Sequence, residues 1–267
     1  MRFVGLDLAW GSNGGTGLCF VDENKIVESG FARTDEEIIE RLRPVTSEPC
    51  LVAIDAPLVI SNKTGRRECE RAISRCFGKH HAGAHSSNLG MPAFAHGSRG
   101  ARLCSQLNLE MDPEITPLVP TRRAIEVYPH PALVALLALP LTLKYKAKRG
   151  RSIGQRLAAF EVLCELLESL RDATPRLQVR NPRWVRIREM LKNTTPGRRT
   201  GSARGRARCL HLRVHRTLLL DPWERSLSSG RQRFGRIHRN AGESRSRPHA
   251  RCDWTGAVTV LAVGHGK

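Results

Sequence analysis

Met1-Arg2-Phe3-Val4-Gly5-Leu6-Asp7 and Cys50-Leu51-Val52-Ala53-Ile54-Asp55 are two short apolar runs that each end in a lone aspartate. A run of this kind bounded by turn signals is how a strand covered on both faces looks. An ionised carboxylate at the end of such a strand needs a partner or a cation to offset its desolvation. A third run, Arg123-Ala124-Ile125-Glu126, ends in an acid as well and leads into Val127-Tyr128-Pro129-His130-Pro131. Any one strand-end acid can simply cap the next turn or helix. Together the three predict a site in which Asp7, Asp55 and Glu126 converge on divalent cations.

Around these runs the pattern reads β-β-β-α-β, a long insertion, then β-α-α. Residues 2–7, 16–21 and 25–30 make three strands, and Asp22-Glu23-Asn24 makes the second turn. Asp7 opens the glycine-rich stretch Gly11-Ser12-Asn13-Gly14-Gly15-Thr16-Gly17, in which Asn13-Gly14 is a hairpin signal. Thr34 and Glu37 fit a capping box ahead of Ile38, Ile39 and Leu42, and Pro44 is expected to close that helix. The crossover would set strand 50–55 parallel to the first. A helix starts near Gly65-Arg66-Arg67-Glu68-Cys69-Glu70-Arg71 and ends near Gly78. Residues 79–120, rich in Gly, His, Ser and Pro, read as a loop over the site, with an element only at 99–110. Strand 123–128 follows, Pro131 suits a helix start, and Ser152 with Gln155 caps a helix carrying Leu157, Phe160, Leu163, Leu167 and Leu170.

The 267 residues carry a formal charge of +19, which points towards nucleic acid or an anionic surface. The charge is lopsided. Residues 1–170 hold 21 Lys+Arg against 19 Asp+Glu, and the last 97 residues hold 23 against 6, with Lys192 and Lys267 the only lysines there. Phosphate-neutralising tails usually mix the two cations. Stretches such as Gly197–Arg208 and the run around Ser244–Pro248 show no amphipathic period and read as coil. We therefore divide the chain into 1–170, one incomplete domain, and 171–267, a poorly ordered Arg-rich tail. An arginine-rich, lysine-poor tail is also what a GC-rich gene yields when read out of frame. Shifted by one base, the codons of Gly205-Arg206-Ala207-Arg208-Cys209 permit Asp-Ala-Leu-Asp-Ala, and the next eight residues permit a mostly apolar run. A frameshift is thus one expectation for this segment.

The eight cysteines lack the spacing of a disulfide framework. No stretch has the length of a membrane span or the layout of a signal peptide, so the expectation is a cytoplasmic chain without a membrane partner. The oligomeric state is not legible.

Arg2–Trp10 with Thr16-Gly17-Leu18, Ala53-Ile54-Asp55-Ala56-Pro57-Leu58, Gly65–Arg71, Glu126-Val127-Tyr128-Pro129 and Lys144-Tyr145-Lys146 together resemble the predicted ribonuclease-H-like nucleases catalogued as domain of unknown function 429. The resemblance covers roughly residues 1–170. It implies an α/β fold with a mixed sheet, three antiparallel strands then parallel ones, flanked by helices. It also implies that Asp7, Asp55 and Glu126 are catalytic and metal-binding acids for Mg²⁺ or Mn²⁺. Clustered carboxylates suit such chemistry because two divalent ions about 4 Å apart hold the phosphate and activate a water. A related site would add an acid in an Asp-Ala-Leu-Asp-Ala-like late helix, which this chain lacks.

Further candidates follow from the residues. Arg66, Arg67 and Arg71 could meet substrate phosphates, or lie on an exposed helix face paired with Glu68 and Glu70. Lys146, within the cluster Lys144, Lys146, Lys148 and Arg149, is a second substrate-binding candidate, against a solvated loop. Cys69, Cys76, His80, His81 and His85 could hold zinc, though the spacing matches no paired-ligand motif. His130 either approaches the cleft or starts a helix. The leading expectation is a metal-dependent nuclease cleaving phosphodiesters of DNA or RNA, weakly active or inactive for want of its late acid. The alternatives are an ATP-binding phosphotransferase of the sugar-kinase and actin-like superfamily, which would need a duplicated domain, and a non-enzymatic nucleic-acid binder using the basic tail, although few aromatics interleave its charges.

Overall fold

A computed structural model describes residues 2–10, 15–112, 120–146, 149–174 and 176–194. The expectations about the glycine-rich stretch at 11–14 and about the Arg-rich sequence from 195 onward fall outside these residues.

One five-stranded mixed sheet organises the described chain, in the order β3-β2-β1-β4-β5. Strands β1 (Arg2–Asp7), β2 (Thr16–Asp22) and β3 (Lys25–Ala32) form an antiparallel meander. Glu23, at φ 52°, takes the left-handed conformation in the tight turn between β2 and β3. Helix α1 (Asp35–Thr46) carries the chain across, so that β4 (Cys50–Ile54) pairs parallel to β1 and β5 (Arg122–Glu126) parallel to β4. The expected architecture of three antiparallel strands followed by parallel ones, flanked by helices, is the one observed.

Both faces of the sheet are covered, which is why β1 and β4 read as continuous apolar runs. On one face Val4, Leu6, Val52 and Ile54 pack with Ile38 and Leu42 of α1 and with Leu103 and Cys104 of α3 (Arg99–Gln106). On the other, Leu51, Ala53, Cys19 and Val21 pack with α2 (Glu68–Phe77), α4 (Pro129–Leu136), α5 (Ile153–Ser169) and α6 (Pro182–Lys192). The outer edge of β5 is partly closed: Glu110 N donates to Arg122 O at 2.7 Å and Ala124 N to Glu110 O at 2.8 Å. Gly100, near the start of α3, lies so close to Leu58 that a Cβ there would stand 2.7 Å from its Cδ2. Among the described residues, no helix is long and apolar enough to cross a membrane.

Two readings are corrected. Pro44 does not end α1, which continues to Thr46. The missing amide falls in the last turn, where one lost bond matters least, and Thr46 is still buried with its hydroxyl on Leu42 O at 3.1 Å. Within residues 79–120 the element expected at 99–110 is α3, capped by Ser98, whose Oγ accepts from Ala101 N and donates to Pro57 O. The ordered body also runs past 170. Asn181 caps α6 by accepting from Trp184 N at 2.8 Å, Pro182 occupies its first turn, and Trp184, Ile187 and Leu191 are buried against α5. Gln178 bonds both Ile26 N (3.2 Å) and Asn24 O (2.7 Å), tying this segment to the β2–β3 turn.

Candidate functional site

The site grows from strand register. Leu6 is paired with Ile54, and Asp55 N donates to Leu6 O at 2.8 Å, which carries the ladder one residue further. Asp7 and Asp55 are therefore neighbours at the carboxyl ends of adjacent parallel strands, with backbones about 4.8 Å apart. By the alternation of side chains they belong to the sheet face of Leu51 and Ala53. Carboxyl ends of parallel strands are where open α/β sheets place their ligands.

Glu126 is offset from them. Its partner is Ile54 rather than Asp55, although its carboxylate still lines the same cavity as Asp55. Both carboxylate oxygens are engaged: Oε1 accepts from Arg67 Nη2 at 2.6 Å, and Oε2 from Arg67 Nη1 and Leu58 N at 2.9 Å each. Glu126 thus fastens the turn after β4 to β5.

Arg67 is the centre of a buried network. Besides Glu126 it donates to Tyr128 Oη (2.7 Å), Val59 O (3.0 Å) and Glu70 Oε1 (2.8 Å), so all five of its N–H groups have acceptors. Burial opposes its charge, but the hydrogen bonds and charge of Glu126 outweigh that and hold the guanidinium above its ordinary range. Glu70, 1 % exposed, also accepts from Arg67 N and from the amide and hydroxyl of Ser87. A fully committed Arg67 has no donor left for a substrate phosphate, which corrects its expected role. Arg71 sits apart from the site on the exposed side of α2, bonded to Glu68 at 2.5 Å and to Arg66 O at 2.6 Å. The exposed-face alternative therefore holds for Arg71 with Glu68, and fails for Arg67 with Glu70.

The electrostatics single out the aspartate pair. Burial first, then the charges of Asp7 and Glu126, push the Asp55 carboxyl up to about 7, with Lys146 opposing them. The hydroxyl of Tyr145, fully buried, is pushed well above its usual range by burial and by the charges of Asp55 and Asp7. The geometry thus brings Asp7, Asp55, Lys146 and Tyr145 together. Lys144-Tyr145-Lys146 is held from α5 and the residues just before it: Arg151 Nη1 donates to Lys146 O at 3.1 Å and Arg156 Nε of α5 to Tyr145 O at 3.5 Å.

A cavity of about 430 Å³ opens here, lined by Asp55, Glu126, Trp10, Tyr128, Lys144, Lys146 and Arg151 among others. Among the described residues, no three His, Cys, Asp or Glu side chains form a group able to hold a metal ion. That answers the zinc candidates: Cys69 lies 3.8 Å from Tyr128 Oη, and His80 Nδ1 is 2.8 Å from Pro140 O. His130 starts α4 and meets the hydroxyl of Thr142 at 2.9 Å while also lining the cavity. A pair of carboxylates is compatible with Mg²⁺ or Mn²⁺ chemistry, since Mg²⁺ is typically held by one or two carboxylates, several waters and substrate phosphate.

Sequence reading did not single out Trp10, Arg99 or Arg151, and it offered Glu70 only as a partner on an exposed helix face. Arg99 donates to Ala9 O at 2.9 Å and to Asp35 at 2.7 Å, fixing the backbone just beyond Asp7. The spacing of Arg67 and Glu70 was the one available signal, since residues three apart meet on a helix end.

A family model described as protein of unknown function (DUF429) matches residues 5–190. The chain belongs to this family. The DUF429 match ends inside α6, in keeping with a body that extends beyond residue 170. No curated protein and no solved structure matches the chain.

Proposed function

We propose that this DUF429 domain is a ribonuclease-H-like, divalent-metal-dependent phosphodiester hydrolase acting on nucleic acid, with Asp7 and Asp55 as the carboxylates that hold Mg²⁺ or Mn²⁺. One observation carries the reading. Two acids end adjacent parallel strands, and burial, followed by the charge of Asp7, raises the Asp55 carboxyl to about 7. Such repulsion costs stability unless a cation relieves it. When bound, a divalent ion would neutralise phosphate charge and make a bound water more acidic. The chain's own part is to hold the two acids side by side at the strand ends, to present Lys146 and Arg151 to an anion at the cavity that Asp55 lines, and to keep the strand ends fixed through Arg67 and Glu126.

The resemblance calls for a further acid from a late helix. On α5, Glu161 and Glu165 are exposed, and Glu168 is bonded to Trp184 Nε1 at 2.6 Å and paired with Arg188 at 3.3 Å. No Asp-Ala-Leu-Asp-Ala segment occurs in the sequence. We therefore assign this chain slow turnover and attribute the loss to a frame change ahead of residue 205. The phosphotransferase alternative lacks support, because the described residues build one sheet and no duplicated domain.

The test compares labelled DNA and RNA strands with this chain and with a chain encoded in the shifted frame from residue 205. Faster Mg²⁺-dependent cleavage by the reframed chain, abolished by Asp7→Asn, supports the reading. Equal slow cleavage by both removes the frame change, and no cleavage by either removes the nuclease.

A further inference from the structure

We infer that the cavity beside Asp55 is a pocket for a single unpaired nucleotide, so that the substrate is a single strand or a frayed end rather than an intact duplex. This deepens the proposed nuclease reading and rests on it.

Size is the first argument. A volume of about 430 Å³ lies in the range of small-molecule pockets. Space of that size takes one small molecule or nucleotide, not a run of stacked base pairs. A nucleotide can reach acids recessed in such a pocket only when it is out of the stack.

The lining supplies the second argument. Lys144, Lys146 and Arg151 all face the cavity, and among the described residues none of the three forms a salt bridge with a carboxylate, the ion pairs of the body lying elsewhere. These cations are suited to a phosphate. Glu126 and Glu70, by contrast, are already paired with Arg67, so the pocket's acidic groups offset the cations less than a simple residue count suggests. Trp10, Tyr128 and Leu143 give the same cavity an aromatic and apolar portion. Trp10 is braced by Phe94, with ring centroids 5.1 Å apart, and its backbone neighbour Ala9 is anchored by Arg99. A cationic wall next to a braced aromatic is the usual means of holding one nucleotide, with phosphate on the charges and base against the ring.

The test is equilibrium binding of the full chain, in Ca²⁺, to fluorescein-labelled dT and rU 12-mers, to a blunt duplex, and to the same duplex with a single-stranded overhang. Trp10→Ala and the double variant Lys144→Ala/Lys146→Ala are measured alongside. Single strands and the overhang should bind about tenfold or more tighter than the blunt duplex, a difference in the range that base stacking supplies. Both variants should lose most of that advantage. Equal affinity for the blunt duplex, or variants that keep the preference, would overturn the pocket. Circular dichroism confirms that each variant is folded. A Mn²⁺ titration of the same samples separates this outcome from failure of the metal site, since it depends on Asp7 and Asp55 and not on Trp10.

Discussion

Removing the charge of Asp55 should stabilise the metal-free protein, and only at neutral and alkaline pH. The carboxyl is raised from an ordinary value near 3.8 to about 7, by burial first and the Asp7 charge second. Below about pH 4 both folded and unfolded chains hold the proton, and the shift contributes nothing. Between pH 4 and 7 the unfolded chain ionises while the folded one keeps its proton, so stability falls as pH rises. Above 7 the penalty is complete. At 1.36 kcal/mol per unit the full shift corresponds to about 4 kcal/mol, and relaxation of the site brings a sensible range to about 2–4 kcal/mol. Asp55→Asn removes the titrating group. With a urea slope of about 2 kcal/mol/M, its midpoint in EDTA should exceed that of the wild type by about 1–2 M at pH 8, with little difference at pH 4. The assay is urea unfolding followed by tryptophan fluorescence at both pH values. A variant that gains nothing between pH 4 and pH 8 would refute the claim that two acids are forced together.

Other expectations concern the frame around the acids. Glu126→Gln leaves Arg67 buried with a weakened partner and should cost about 3–5 kcal/mol by urea unfolding; a loss under 1 kcal/mol would show that the pair does not hold the strand end. Arg71→Ala, on the exposed face of α2, should change stability by less than about 0.5 kcal/mol and leave cleavage unchanged. Trp184→Ala should cost about 3–5 kcal/mol because the ring is 2 % exposed in the core. A midpoint unchanged in that variant would restore the domain boundary to residue 170.

The sheet was legible because its signals are local. Hydrophobic runs of five or six residues, the turn at Asp22-Glu23-Asn24 and the caps at Thr34 and Ser152 each follow from neighbouring residues. Asp7 and Asp55 were legible because parallel pairing of two similar runs brings their ends together whatever the remaining topology. Glu126 shows the limit of that logic: a third run ending in an acid looks equivalent in sequence, but its register against β4 differs by one residue, and register is a property of the assembled sheet. Arg67 was misread for a related reason. Whether an arginine near a cleft faces a ligand or a buried carboxylate depends on Glu70 and Glu126, and Glu126 lies 59 residues away. Helix α6 was obscured by composition. Its arginines gave it the look of the sequence that follows, although Asn181-Pro182 and the spacing of Trp184, Ile187 and Leu191 carried a cap and a helical stripe.

Mn²⁺ titration followed by electron paramagnetic resonance tests the central claim most directly, with wild type, Asp7→Asn, Asp55→Asn and Arg71→Ala compared at pH 8. The account predicts a site displaced by Mg²⁺ that weakens about tenfold or more in each aspartate variant, a loss of about 1.4 kcal/mol or greater, and is unaltered in Arg71→Ala. Mn²⁺ affinity unchanged by removal of either carboxylate would contradict it.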